Sequence, residues 1–226
     1  MIKASKLNNF DTPKRTALYK VVNSRDILVE EKQQDGSMDQ VILEYCVKEG
    51  NIGYFAKEYR PASVKKEGAK VIDITAIMLD CEKKCVRWHL YDIKDILAGE
   101  DTAVKLYNQW NSGVAYLQQN ILALLQGYSE AADLGVITRC YDKNRMEHLL
   151  SKYQGLCNEM KNGQEGRTLS QRKRRPEIAK YKGKLKAIQA ILDSEFQSDS
   201  GTVTYKIHIR QLDHEKDQIY RMRFPV

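Results

Sequence analysis

Nowhere does the chain offer the roughly 20 consecutive apolar residues that a helix needs to cross a bilayer. Its densest apolar runs, Val71–Leu79 and Ile121–Leu125, are short, and Asp73 breaks the first. A membrane-spanning protein is therefore not expected. The first ten residues carry two lysines but no apolar block followed by small residues, so they do not read as a secretory signal, and the expected compartment is the cytoplasm. The five cysteines, an odd number without framework spacing, argue against a disulfide scaffold. Cys81 and Cys85 flank Glu82-Lys83-Lys84, but Cys140 and Cys157 lack the short paired spacing that zinc or an iron–sulfur cluster needs. Both glycine-rich phosphate motifs are missing, which leaves nucleotide hydrolysis and dinucleotide binding without support. The four histidines form no His-Glu-x-x-His motif and pair with no serine or cysteine nucleophile by pattern.

What the chain has is unevenly placed positive charge. Thirty-seven basic residues against 30 acidic ones give a net charge of +7, and residues 114–226 hold 19 of the former against 13 of the latter. Within Arg167–Lys186 there are nine basic residues and one acid, Glu177. A polyanion is the natural partner of such a segment. Arg172, Lys173, Arg174 and Arg175, followed by Lys180, Lys182 and Lys184, are the candidates to track a phosphate backbone, and Tyr181 is placed to stack on a base of a single strand.

Hydrophobic periodicity divides the rest. Thr12-Pro13 predicts a short helix through about Val22. Residues 26–60 fit either a hairpin or a strand followed by a helix, and Pro61 and Gly68 bracket a polar loop. From Lys70 two β-branched and aromatic segments flank a short polar connection, which predicts a hairpin between Val71–Leu79 and Val86–Ile96. Leu106, Trp110, Val114, Leu117, Ile121 and Leu124 recur at helical spacing and predict a helix from Glu100 to about Tyr128. A second helix is expected over 143–160, followed by a Gly-containing linker at 163–166. Pro176 is expected to open a third, basic helix running to about Phe196. The alternation at Val203–Arg210, with Ile219–Phe224 beyond, predicts a C-terminal β-hairpin.

Two acids and a lysine fall within the predicted hairpin. Asp92 and Lys94 are two residues apart on one strand, so they share a face with Cα atoms about 6.6 Å apart. The partner strand supplies Asp73, inside a run apolar enough to be buried, where an unpaired carboxylate is expensive. Converging carboxylates can hold Mg²⁺ through oxygen ligands, and a neighbouring ammonium can offset phosphate charge. Phosphodiester hydrolysis needs this set. His89, facing away from Asp92, reads as a core or interface histidine.

In Asp73 followed by Asp92-Ile93-Lys94 the chain resembles the PD-(D/E)XK nuclease superfamily, over about residues 70–120. The position before the first acid, often proline in that group, is Ile72 here. The resemblance implies an α/β, restriction-endonuclease-like mixed central sheet flanked by helices. It also implies Mg²⁺, with Mn²⁺ as the alternative, held by Asp73 and Asp92, with Lys94 assisting and Gln109 on the following helix facing the site. A further acid is common in the group, for which Glu44 and Glu58 both qualify. The expected substrate is DNA in preference to RNA. The organisation expected is a nuclease-like core over 1–130, with 131–226 as a helical and hairpin extension packed on the same core. The chain would act as a homo-oligomer or as the effector subunit of a larger complex, by analogy one for bacterial phage defence. The rival reading is a non-catalytic nucleic-acid-binding or assembly subunit using the same basic segment.

Overall fold

The computed structural model describes residues 19–21, 25–32, 38–45, 47, 49, 51–59, 72–162, 171–198, 203–212 and 220–223. Strands β1 (Tyr19–Val21), β2 (Arg25–Lys32), β3 (Met38–Tyr45), β4 (Asn51–Tyr59), β5 (Ile72–Asp80) and β6 (Cys85–Leu97) come first. Helix α1 (Glu100–Asn120), a 3-10 turn at Leu122–Leu124 and β7 (Ser129–Tyr141) follow. Then come α2 (Lys143–Asn162), α3 (Gln171–Asp193), β8 (Glu195–Gln197), β9 (Thr204–Gln211) and β10 (Tyr220–Arg223).

Seven strands form one mixed sheet in the order β1-β4-β5-β6-β7-β9-β8, and β10-β3-β2 form a second. Arg25–Lys32 and Met38–Tyr45 are thus two antiparallel strands, β2 and β3. In the larger sheet the β1–β4, β4–β5, β5–β6 and β8–β9 pairs are antiparallel, whereas β6–β7 and β7–β9 are parallel. A parallel pair needs a crossover, and α1 supplies it between β6 and β7. The fold is therefore α/β with helices against a mixed sheet.

Both faces of the central strands are covered, which is why β5 and β6 read as nearly continuous apolar runs. On the helix side Trp88, Leu90, Trp110, Val114, Leu134, Val136, Ile188 and Phe196 form one buried cluster. Two glycines permit close approach. A Cβ on Gly113 would lie 2.2 Å from Ile72 Cδ1, so its absence lets α1 sit low on β5. At Gly135 a Cβ would lie 2.1 Å from Tyr91 Cε1, so the tyrosine ring lies across β7 where only glycine leaves room.

Several expectations are corrected. Helix α1 stops at Asn120 instead of Tyr128. The chain must turn to start β7, whose Ser129 N–H reaches the Lys84 carbonyl at 2.8 Å, and Gly127 at φ 79° makes the turn. The strand β7 itself was not anticipated. Helix α3 begins at Gln171, with Pro176 inside it rather than at its start, so the ring forfeits one bond back to residue 172 within the first two turns. It ends at Asp193, and Ser194 at φ 57° redirects the chain so that Phe196 lies in β8. Among the described residues the expected C-terminal hairpin does not form: β9 pairs with β7 and β8, while β10 pairs with β3 in the other sheet. Strand β9 instead pairs antiparallel with β8. A boundary at residue 130 falls inside β7, which is paired along its length with β6. Tyr19–Val21 is a strand, not a helix end, and the remainder of the Thr12-Pro13 helix, the Pro61–Gly68 loop and the linker at 163–166 lie outside the described residues. Among the described residues no helix is long and apolar enough to cross a membrane.

Candidate active site

The ladder between β5 and β6 runs from Asp80–Cys85 up to Ile74–Tyr91. One step further, the Ile93 N–H donates to Asp73 Oδ2 at 2.8 Å, so the carboxylate takes the place of a backbone acceptor. This substitution turns Asp73 toward the strand that carries the other two groups. Lys94 Nζ lies 3.1 Å from Asp73 Oδ2, 3.3 Å from Asp92 Oδ1 and 3.0 Å from the Ile93 carbonyl. Gln109 donates from Nε2 to Asp92 Oδ1 at 2.8 Å. All four residues expected at the site, Asp73, Asp92, Lys94 and Gln109, thus meet by direct contacts, and β5, β6 and α1 each contribute.

Their surroundings differ. Asp92 has no exposed side-chain surface, whereas Asp73 and Lys94 each keep 14%. Asp92 Oδ2 is buried without a hydrogen-bond donor. Burial pushes the Asp92 carboxyl up to about 7; Lys94 opposes that shift and the nearby Asp73 charge adds to it. Burial alone would pull Lys94 down, but the two carboxylates outweigh it and hold the amine above its ordinary range. Lys94 is therefore an ammonium, and Asp92 sits at the edge of ionisation near neutral pH.

The choice between the two further acids gains a positional argument. Lys57 pairs with Ile74 and Tyr59 with Ile72, so Glu58 in β4 falls level with Asp73. Glu44 belongs to β3 in the separate sheet. The side chains of both lie outside the described residues. Among the described residues no group of three or more His, Cys, Asp or Glu is arranged to hold a metal.

The basic segment divides in the same way. Arg172, Lys173, Arg174 and Arg175 form the first turn of α3, with side chains outside the described residues. Lys180 and Lys182 are exposed, as a phosphate contact requires. Lys184 is not: its ammonium is bound to Glu100 and lies 3.2 Å from the Tyr153 hydroxyl, and its side chain is 13% exposed. The Tyr153 hydroxyl donates to the same Glu100 carboxylate. Lys184, expected as a backbone contact, here clasps α1, α2 and α3 together. No local signal in the sequence pointed to it, since Glu100 and Lys184 are 84 residues apart.

His89 is fully buried on the face away from Asp92, with Nδ1 3.4 Å from Asp133, and burial holds it down at about 4. His208 approaches the same carboxylate at 3.4 Å. The described cysteines, Cys81, Cys85, Cys140 and Cys157, are free thiols. Compared with family models, with curated proteins and with solved structures, the chain matches none.

Proposed function

We propose that the chain is a metal-dependent nuclease of the PD-(D/E)XK type, with a restriction-endonuclease-like core, that hydrolyses DNA phosphodiester bonds. One observation carries the reading: Asp73, Asp92, Lys94 and Gln109, named from a short motif and a helix offset, make direct contact in space. The donor set suits a hard divalent cation, because it offers carboxylate oxygens, one of them buried without a donor. Asp73 and Asp92 would hold Mg²⁺ or Mn²⁺, which when bound polarises the scissile phosphate and acidifies a coordinated water. Gln109 fixes one Asp92 oxygen, leaving the other for the ion. Lys94 would present its positive charge where negative charge develops on the phosphorane-like transition state. The register supports Glu58 over Glu44 as a third acid. Lys180 and Lys182 on α3, with Arg172–Arg175 before them, would hold the substrate backbone, and a second copy or a partner subunit would supply sequence choice or a trigger, as in a defence complex.

A second reading has its own observation. Asp92 is fully buried and the Lys94 ammonium is fully hydrogen-bonded within the chain, as in an ion cluster that only stabilises a fold used for binding or assembly. Incubation of wild type, Asp92→Ala and Lys94→Ala with linear DNA, circular DNA and RNA, in Mg²⁺, Mn²⁺ or EDTA, separates the two. The nuclease reading expects cleavage by wild type that EDTA abolishes and that each variant lowers by at least about 100-fold, with DNA binding retained. Cleavage that persists in Asp92→Ala would remove this site from the reaction.

A further inference from the structure

Taking the nuclease reading as its base, the site's own hydrogen bonding says something about how a cation enters it. The three N–H groups of the Lys94 ammonium are matched by three acceptors, Asp73 Oδ2, Asp92 Oδ1 and the Ile93 carbonyl. Asp73 Oδ2 already takes the Ile93 N–H, and Asp92 Oδ1 already takes the Gln109 amide. Each of these oxygens therefore accepts two donors, one of them the lysine. A divalent ion held by the same two carboxylates, with the unpartnered Asp92 Oδ2 open to it, would sit beside this ammonium. It would stand within a few ångströms of a like charge in a site with little water, where repulsion is weakly screened.

We propose that Lys94 is a built-in competitor for the cation: the Asp73 and Asp92 carboxylates hold the ammonium and the divalent ion in turn, because the two like charges repel across the site, and a substrate phosphate tips the exchange by drawing the ammonium to itself. The residues differ in their freedom to do this. Asp92 has no exposed surface and is pinned by Gln109, so it stays. Lys94 is 14% exposed and has a four-carbon stem, so its ammonium has a way out toward an incoming phosphate. A phosphate oxygen is an acceptor that can replace the carboxylates it leaves. Removing the ammonium from the acids then raises their affinity for the cation, and by linkage the bound cation raises affinity for the phosphate by the same factor. The device keeps the site weak for metal until nucleic acid is present.

The test is Mn²⁺ binding, read from the paramagnetic resonance of the free ion, for wild type, Lys94→Met, Lys94→Gln and Asp92→Asn. Each protein is measured alone and with a phosphorothioate DNA duplex, after subtraction of Mn²⁺ bound by the duplex itself. Without DNA, both Lys94 variants should bind Mn²⁺ about tenfold or more tightly than wild type. The duplex should tighten binding to wild type and leave the Lys94 variants little changed. Thermal melts establish that each variant is folded; Lys94→Gln keeps an amide donor for the carboxylates and carries the comparison if Lys94→Met does not fold. Equal or weaker binding by the folded Lys94 variants, with binding lost in Asp92→Asn, would overturn the competition and leave the metal site standing. DNA-driven tightening that persists in the variants would also overturn it. If no protein binds Mn²⁺ with or without DNA, the nuclease reading falls, and the competition with it.

Discussion

A carboxylate with no exposed surface and one oxygen lacking a donor is held at a cost, and at Asp92 that cost depends on pH. Its carboxyl is raised to about 7, chiefly by burial. A raised acid favours the folded state fully below its unfolded value of about 4, and this contribution is lost as pH climbs through 7. Asparagine at this position has nothing to ionise and can still accept the Gln109 amide. Without divalent ions, the Tm advantage of Asp92→Asn over wild type should thus be near zero only below about pH 4, already be measurable at pH 5, grow toward pH 7 and level off above it. Melts of both proteins at pH 5, 6, 7 and 8 read this directly, and an advantage that shrinks with rising pH would contradict the assignment. The same variant should be inactive in cleavage, since the carboxylate that weakens the fold is the one that would hold the ion. Asp92, Lys94 and Asp73 were legible as a group because the two-residue strand period and a short hairpin relate them. Their hydrogen bonds were not, since the Ile93 N–H turning to Asp73 depends on where the ladder ends.

Among elements, α3 links the basic segment to the site through α1. Glu100 opens α1 three residues after β6 ends, and its carboxylate gathers Tyr153 from α2 and Lys184 from α3. The strand bearing Asp92-Ile93-Lys94 is thereby tied, through one acid, to the helix whose exposed lysines face solvent. Under the proposed function, charge on α3 has two uses, and mutation separates them. Lys184→Met should lower the Tm by a few degrees and leave the salt dependence of DNA binding unchanged. The pair Lys180→Ala and Lys182→Ala should keep the Tm and reduce the slope of log K against log salt by up to about two. Binding isotherms at several salt concentrations, with melts in parallel, distinguish these outcomes; a reduced slope in Lys184→Met would show that the clasp opens to nucleic acid. In sequence the eight charges of Lys/Arg type nearest Lys184 look alike, because burial by a partner on another helix leaves no periodic mark. The hairpin β5–β6 and the cores of α1 and α2 were readable from local period, whereas the α1 end was not, since Leu122, Leu124 and Leu125 continue its apolar spacing past the point where the chain turns.

At the scale of the whole molecule, what the sequence hid is which strands meet. Strand β7 has small and mixed residues, Ser129-Glu130-Ala131-Ala132 and then Leu134-Gly135-Val136-Ile137, so no clean alternation announces it. Yet it lies inside the sheet, paired in parallel with β6 on one side and β9 on the other. Strand β10 crosses to the second sheet to join β3, a partner some 180 residues earlier that local pattern cannot name. These pairings decide whether the residues around Asp73 and Asp92 form a unit alone. Leu134, Val136, Met146, Ile188, Phe196 and Tyr205 all belong to the cluster that covers Trp88 and Leu90, the two inward neighbours preceding Asp92 on its face of β6. Gln118 and Tyr205 also meet at Glu130, which accepts the Trp88 indole N–H at 3.1 Å. A fragment ending at residue 130 would expose the β6 edge and strip the upper part of this core from α1. It should therefore show no cooperative thermal transition and be cleaved rapidly by protease within 72–120, while the full chain resists. If the fragment melts cooperatively and retains metal-dependent cleavage, then β7, α3 and β9 are an addition to a self-sufficient core, and the parallel half of the sheet is not what holds the site.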